Sequence, residues 1–180
     1  DAYKAFNDEI FLNEKIESAE FIYKSLTKND GGLFHNYVNG KSKVNGYLED
    51  YATIIQASLD LYEITLNQKW IERALKLSKY VIKNFSNDES ALFYFTSKKD
   101  EELITRTIEF RDNVIPSSNS IMAKNLFKLY HYFDMQEYFD LSKKMALSVT
   151  KEFEVYPSGY SNWFDLIYIL KSKFYEVAIV

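Results

Sequence analysis

Apolar residues recur every three or four positions through three long stretches of the chain, with charged residues between them. In the first, Leu12, Ile16, Ala19, Tyr23 and Leu26 share one face, opposite Glu14, Lys15, Glu17, Glu20 and Lys24. Ile71, Ala74, Ser78, Val81 and Phe85 repeat the stripe, as do Tyr138, Leu141, Met145, Val149 and Phe153. Stripes of this width predict helices with one solvated face. Residues 48–65, 117–133 and 161–171 are different, being apolar nearly all round. Helices of that kind are expected to be enclosed by protein.

The one-sided helices belong to a repeat. Residues 2–26, 61–85 and 129–153 align without a gap, so that Tyr3, Tyr62 and Tyr130 coincide, as do Phe11, Trp70 and Tyr138. The small Ala19, Ser78 and Ala146 also match, followed by Ile22, Val81 and Val149, then Lys24, Lys83 and Lys151. Such self-similarity predicts a supersecondary unit whose copies stack to bury a shared core. Each copy should hold the end of an inner helix, a tight turn and an outer helix.

Connection lengths alternate as well. Inner-to-outer links are short, around residues 66–69 and 134–136, whereas outer-to-inner links run over residues 27–47 and 86–116, with a shorter one at 154–159. Short links make antiparallel neighbours. All inner helices then point the same way, with the long loops gathered at their N-terminal ends. The expected fold is all-α with minor β-hairpins in the loops: a partial (α/α) toroid of about three helical hairpins, with a funnel at the loop end. Residues 91–96 (ALFYFT) and 174–180 (FYEVAIV) read as strands. Closing a toroid takes about six hairpins, so the chain is expected to expose apolar flanks, to join a larger toroid or to self-associate as a homo-oligomer.

Composition narrows the function. At 180 residues, 47% of them apolar, the chain is long enough for one domain over residues 1–180 with a sizeable core. A net charge of −4 without a basic, aromatic-laced cluster argues against a nucleic-acid partner. Cysteine is absent and only two histidines occur, which leaves neither thiolate chemistry nor a histidine-rich metal site. No metal or cofactor is expected. No apolar run reaches the ~18–20 residues of a membrane span, so no membrane partner is expected and the expected location is cytoplasmic. Because the first residue is Asp rather than Met, a removed signal or a missing upstream domain stays open.

The loop-to-helix junctions carry the most distinctive wording: GLFHNYVNGKSKVNGYLEDYA at 32–52, LITRTIEFRDNVIPSSNS at 103–120 and YPSGYSNW at 156–163. Together they resemble the C-terminal domain of the thioredoxin-domain-containing family of spermatogenesis-associated protein 20 and YyaL-like proteins. There, a GYLEDYA-like segment, a D-x-x-x-PS-x-NS segment and a closing E-V-x-I-V strand occur in this order. The resemblance covers essentially the whole chain. It implies a six-hairpin glycosidase-like toroid related to N-acylglucosamine 2-epimerases and unsaturated glucuronyl hydrolases. It also implies upstream hairpins and a thioredoxin-like domain, both absent from this chain, which looks like the later part of such a protein.

Candidate chemistry gathers at the loop end. Glu49 and Asp50 sit in the first turn of an inner helix, where they either complement the helix dipole or, in the case of Asp50, face the funnel as a general acid or base. Asp112 is the second carboxylate, either a loop brace or the partner of Asp50 in glycosidase-like catalysis. Ser117, Ser118, Asn119 and Ser120 suit an N-cap or a polar ligand. Tyr160, Asn162 and Trp163 mark the third inner helix, the aromatics as core or as a sugar platform. His35 is a rim residue. Arg106 and Arg111 pair with Asp112 and Glu109 or hold a ligand carboxylate. His131, near the short-turn end, disfavours the paired-histidine proton transfer expected of sugar epimerases. Two functions follow. The first is a carbohydrate-active-like domain binding a sugar or polar metabolite with acid–base chemistry by Asp50 and Asp112, glycosidase- or epimerase-like if an enzyme. The alternative is a non-catalytic structural or interaction domain supporting the thioredoxin-like part.

Overall fold

The computed structural model describes residues 2–100 and 105–173. Its helices are α1 (Ala2–Phe6), α2 (Glu9–Leu26), α3 (Leu48–Thr65), α4 (Gln68–Phe85), α5 (Ser118–Phe133), α6 (Gln136–Ser148) and α7 (Ser161–Lys171), with 3-10 turns at Thr150–Glu152 and Pro157–Tyr160. The repeat is visible in the backbone. Asn7, Leu66 and Asp134, which the alignment superposes, all adopt the left-handed conformation, with φ of 52°, 53° and 52°. Each donates its N–H to the carbonyl of the aligned tyrosine, Tyr3, Tyr62 or Tyr130, at 2.8, 2.8 and 2.7 Å. This bond closes the inner helix and turns the chain back. Asp8 and Asn67 then cap the outer helices through Ile10 and Lys69 N–H.

Packing follows the toroid pattern. The inner helices α3, α5 and α7 lie side by side in that order, while α4 packs on α3 and α6 on α5 and α7. Matched aromatic and small positions join the copies: Trp70 of α4 shares a buried cluster with Ala19 of α2, and Tyr138 of α6 reaches Ser78 of α4. The main core runs continuously from Leu48 and Ile55 of α3 through Met122 and Leu126 of α5 to Trp163 and Leu166 of α7. The chain is therefore an arc of an (α/α) toroid. Among the described residues, no helix is long and apolar enough to cross a membrane.

Three expectations need correction or fall outside view. Residues 91–96 form no strand, because Asn119, Phe85 and Thr107 each claim separate backbone groups of the segment and no ladder partner runs beside it. The hairpin lies at Tyr37–Val38 and Lys41–Ser42, turned by Asn39 and Gly40 with φ of 50° and 76°, the Asn-Gly signature of a type I′ turn. Secondly, α7 is not enclosed on all sides: Phe164 and Tyr168 are 40% and 74% exposed. The strand expected at 174–180 lies outside the described residues.

Candidate functional site

A cleft of ≈ 170 Å³ opens where the N-termini of α3 and α5 meet. Glu49, Asp50 and Thr53 of α3 form one wall; Ser118 and Ile121 of α5, with Ile115, Pro116 and Glu109 from the loop before it, form the other. The acids are there for a local reason. Asp50 accepts the Tyr47 N–H at 2.8 Å, capping the first turn of α3, where free N–H groups favour negative charge. His35 from the rim loop places Nδ1 2.9 Å from Asp50 Oδ2 and stands beside the Tyr47 ring, which stacks on Phe95. Across the cleft, Glu109 accepts the Ser118 hydroxyl at 2.8 Å and its N–H at 3.3 Å, serving the start of α5. Burial pushes the Glu49 carboxyl above its ordinary proton affinity; the charges of Asp50 and Glu109 add to this and His35 opposes it. The cleft therefore holds one carboxyl with a raised proton affinity between two further acids.

Asp112 is elsewhere and does another job. It is 5% exposed, and its carboxylate accepts Ser117 N–H at 2.9 Å, Ser120 Oγ–H at 2.8 Å and Asn162 N–H at 2.9 Å. It therefore ties the start of α5 to the start of α7 as a brace, and the acids lining the cleft beside Asp50 are Glu49 and Glu109 rather than Asp112. The arginines are corrected too. Arg111 donates to Glu152 at 3.1 Å and to the Tyr160 hydroxyl at 3.2 Å. Arg106 donates to the Thr96 carbonyl and lies over the Tyr94 ring.

The remaining polar candidates are structural in place. Ser117 caps α5 by accepting Ser120 N–H. Asn119 is fully buried and clamps Phe93 through both its N–H and its carbonyl, at 2.8 and 2.9 Å. Trp163 is enclosed and donates its indole N–H to the Phe110 carbonyl at 2.8 Å, and Tyr160 is enclosed beside Phe153 and Phe110. Neither ring is a sugar platform, because its faces are spent in the core. His131 packs on Phe127 and Tyr130 in the last turns of α5, roughly 20 Å along the helix from Ser118 at 1.5 Å per residue.

Glu109 and Thr53 were not singled out as cleft residues by the sequence. A signal for Glu109 did exist. Residues 108–112 alternate in exposure, with Ile108, Phe110 and Asp112 turned inward and Glu109 and Arg111 outward. An extended backbone imposes that period of two, so Glu109 and Asp112 had to face opposite ways.

Comparison with known proteins bears on the fold. An uncharacterized protein of Caenorhabditis elegans is 31% identical over 136 residues, covering 72% of this chain and 18% of that protein. Spermatogenesis-associated protein 20 of Rattus norvegicus and of Homo sapiens is 37% identical over 87 residues, covering 47% of this chain and 11% of each protein. These matches span less than a fifth of the relatives' length. No known family profile matches the chain. Among solved structures, a GH76 α-mannanase from Bacteroides thetaiotaomicron superposes with a TM-score of 0.72 at 16% identity, covering 95% of this chain and 49% of that one. A D-mannose isomerase superposes with a TM-score of 0.65 at 15% identity, covering 84% and 37%. Both share the toroid fold.

Proposed function

The chain belongs to the family of spermatogenesis-associated protein 20, and from that premise we propose that its cleft at the inner-helix N-termini binds a neutral sugar, with Glu49 as the proton donor. One observation carries the reading: Glu49, Asp50 and Glu109 converge on one small opening at the loop end. Carboxylates accept hydrogen bonds from sugar hydroxyls, and three acids together repel anionic sugars. A cleft of ≈ 170 Å³ is below the ~300–1,000 Å³ of common ligand pockets, so it suits a single ring rather than a chain. The raised proton affinity of Glu49 suits a general acid, with Asp50 or Glu109 as the ionised partner. The likeness in fold to an α-mannanase and a D-mannose isomerase supports hexoses as the first class to try.

The test is a titration with mannose, glucose and methyl mannoside followed by NMR, together with a turnover assay on the same sugars. Resonance shifts at Glu49, Asp50 and Thr53 that vanish in Asp50→Asn are expected, with turnover lost in Glu49→Gln. If no sugar moves those resonances at millimolar concentration, the reading fails. A second reading then takes over, in which the domain is a scaffold for a thioredoxin-like domain. It is favoured by the number of loop-end polar groups, Asp112, Ser117 and Asn119 among them, that are engaged in internal bonds.

A further inference from the structure

Loop tips usually carry small or polar residues, and the rim hairpin follows this with Asn39, Gly40 and Lys41. The tip of the loop before α5 does not. It carries Val114 and Ile115, 95% and 66% exposed. Single exposed apolar residues are ordinary, but these two adjoin an opening. Ile115 lines the mouth of the acid-bearing cleft, and Pro116 and Ile121 continue the same wall, Ile121 being only 9% exposed. One side is thus an apolar track from Ile121 through Pro116 and Ile115 out to Val114, while the α3 side presents Glu49, Asp50 and Thr53. The tip is also held in place. Asp112 N–H donates to the Gly159 carbonyl at 2.8 Å before it, and Asn113 N–H to the Ile115 carbonyl at 3.0 Å within it. After it, Ser117 N–H donates to the Asp112 carboxylate at 2.9 Å. Pinned at both ends, residues 113–116 present their apolar side chains at the cleft mouth.

Resting on the sugar reading above, we propose that Val114 and Ile115 form an aglycone subsite, so that the ligand of the cleft is a monosaccharide bearing an apolar group, an alkyl or aryl glycoside in class. A cleft of ≈ 170 Å³ holds one ring, whose hydroxyls find their acceptors on the α3 side. A substituent leading out of the opening leaves the acids behind and meets Ile115 and then Val114. A second sugar there would set its hydroxyls against side chains that cannot bond them. A hydrocarbon chain or phenyl ring instead takes exposed apolar surface out of water. The two walls therefore sort one ligand into a polar half inside and an apolar half outside.

The experiment compares methyl, hexyl and phenyl mannoside and a mannose disaccharide on the whole chain, with binding followed by NMR and calorimetry. Hexyl and phenyl mannoside are expected to bind on the order of tenfold more tightly than the methyl glycoside, since each buried CH₂ is worth a factor of roughly four. The disaccharide should gain nothing. Val114→Ser changes a side chain that is 95% exposed, so the fold should stand. It should cancel most of the hexyl and phenyl gain and leave methyl mannoside binding as it was. Equal affinities across the three glycosides, a gain indifferent to Val114→Ser, or a disaccharide as tight as the hexyl glycoside would overturn the subsite while leaving the sugar cleft intact. If no glycoside moves the Glu49 and Asp50 resonances, the sugar reading itself fails and the subsite falls with it. Sedimentation of the parent chain as a dimer that Val114→Ser dissociates would assign the tip to a second copy and equally overturn it.

Discussion

The hydroxyls of Tyr138 and Ser78 lie 3.2 Å apart and join α6 to α4 in the buried core. Ser78 also donates to the Leu75 carbonyl at 2.9 Å, so the serine can serve as acceptor for the phenol. Burial raises the Tyr138 proton affinity and keeps the phenol in its donating form. The same aromatic-on-small register links Trp70 to Ala19 one copy earlier.

If that register holds the copies together, ring and hydroxyl should separate cleanly. Tyr138→Phe is expected to cost about 1 kcal/mol, the net worth of one hydrogen bond. Tyr138→Ala should cost about 3–5 kcal/mol by cavity formation. Urea unfolding measures both. Equal losses would mean that the hydroxyl, not the ring, joins the two helices.

Leu66 stands where the turn demands a left-handed backbone, with φ of 53° and 73% of its surface exposed. A β-carbon there is crowded by about 1 kcal/mol, and glycine removes the clash. Leu66→Gly should therefore stabilise the protein by about 0.5–1 kcal/mol, seen as a Tm rise of ~1–4 °C. Asp134→Gly should gain less, since aspartate tolerates this conformation better. A fall in Tm for Leu66→Gly would show that the leucine side chain contributes more than its backbone costs.

Asp112→Ala leaves the N–H groups of Ser117 and Asn162 without their acceptor, while the Ser120 hydroxyl keeps the Ser117 carbonyl at 2.9 Å. Buried donors in that condition cost about 1–3 kcal/mol apiece before relaxation, so a loss of about 2–4 kcal/mol is expected in chemical denaturation. Sugar binding should survive in the folded fraction. An unchanged Tm with binding abolished would return Asp112 to the site.

Glu49 predicts a pH dependence with a definite sign. Its proton is held more tightly in the folded protein than its ordinary value of 4.5 implies, so above that pH the native state binds more protons than the unfolded chain. The group's stabilising contribution is complete below the ordinary value and is lost as pH rises through the raised one. Glu49→Gln lacks this loss. Its stability relative to the parent should therefore improve between pH ~4 and ~7, measured by urea unfolding at both. A relative decline would mean that burial and the neighbouring acids do not govern this carboxyl.

Helix, turn and repeat are local or periodic properties, so the architecture was legible in the order of residues. Tyr3, Tyr62 and Tyr130 mark the closing carbonyls, and the short links after them force inner helices to run parallel. The loop end could be located on the same grounds, and so could Glu49 and Asp50 at its first helix. What the tertiary structure alone decided is which side chains at that end are spent. Asp112 and Glu109 are three residues apart and chemically alike, yet one is enclosed by Ser117, Ser120 and Asn162 while the other faces the cleft. Trp163 and Tyr160 likewise look like a ligand platform until Phe110, Phe153 and Arg111 are seen to occupy them. The partners of a loop residue come from distant segments, and whether a polar group is free for a ligand depends on whether those partners have already satisfied it.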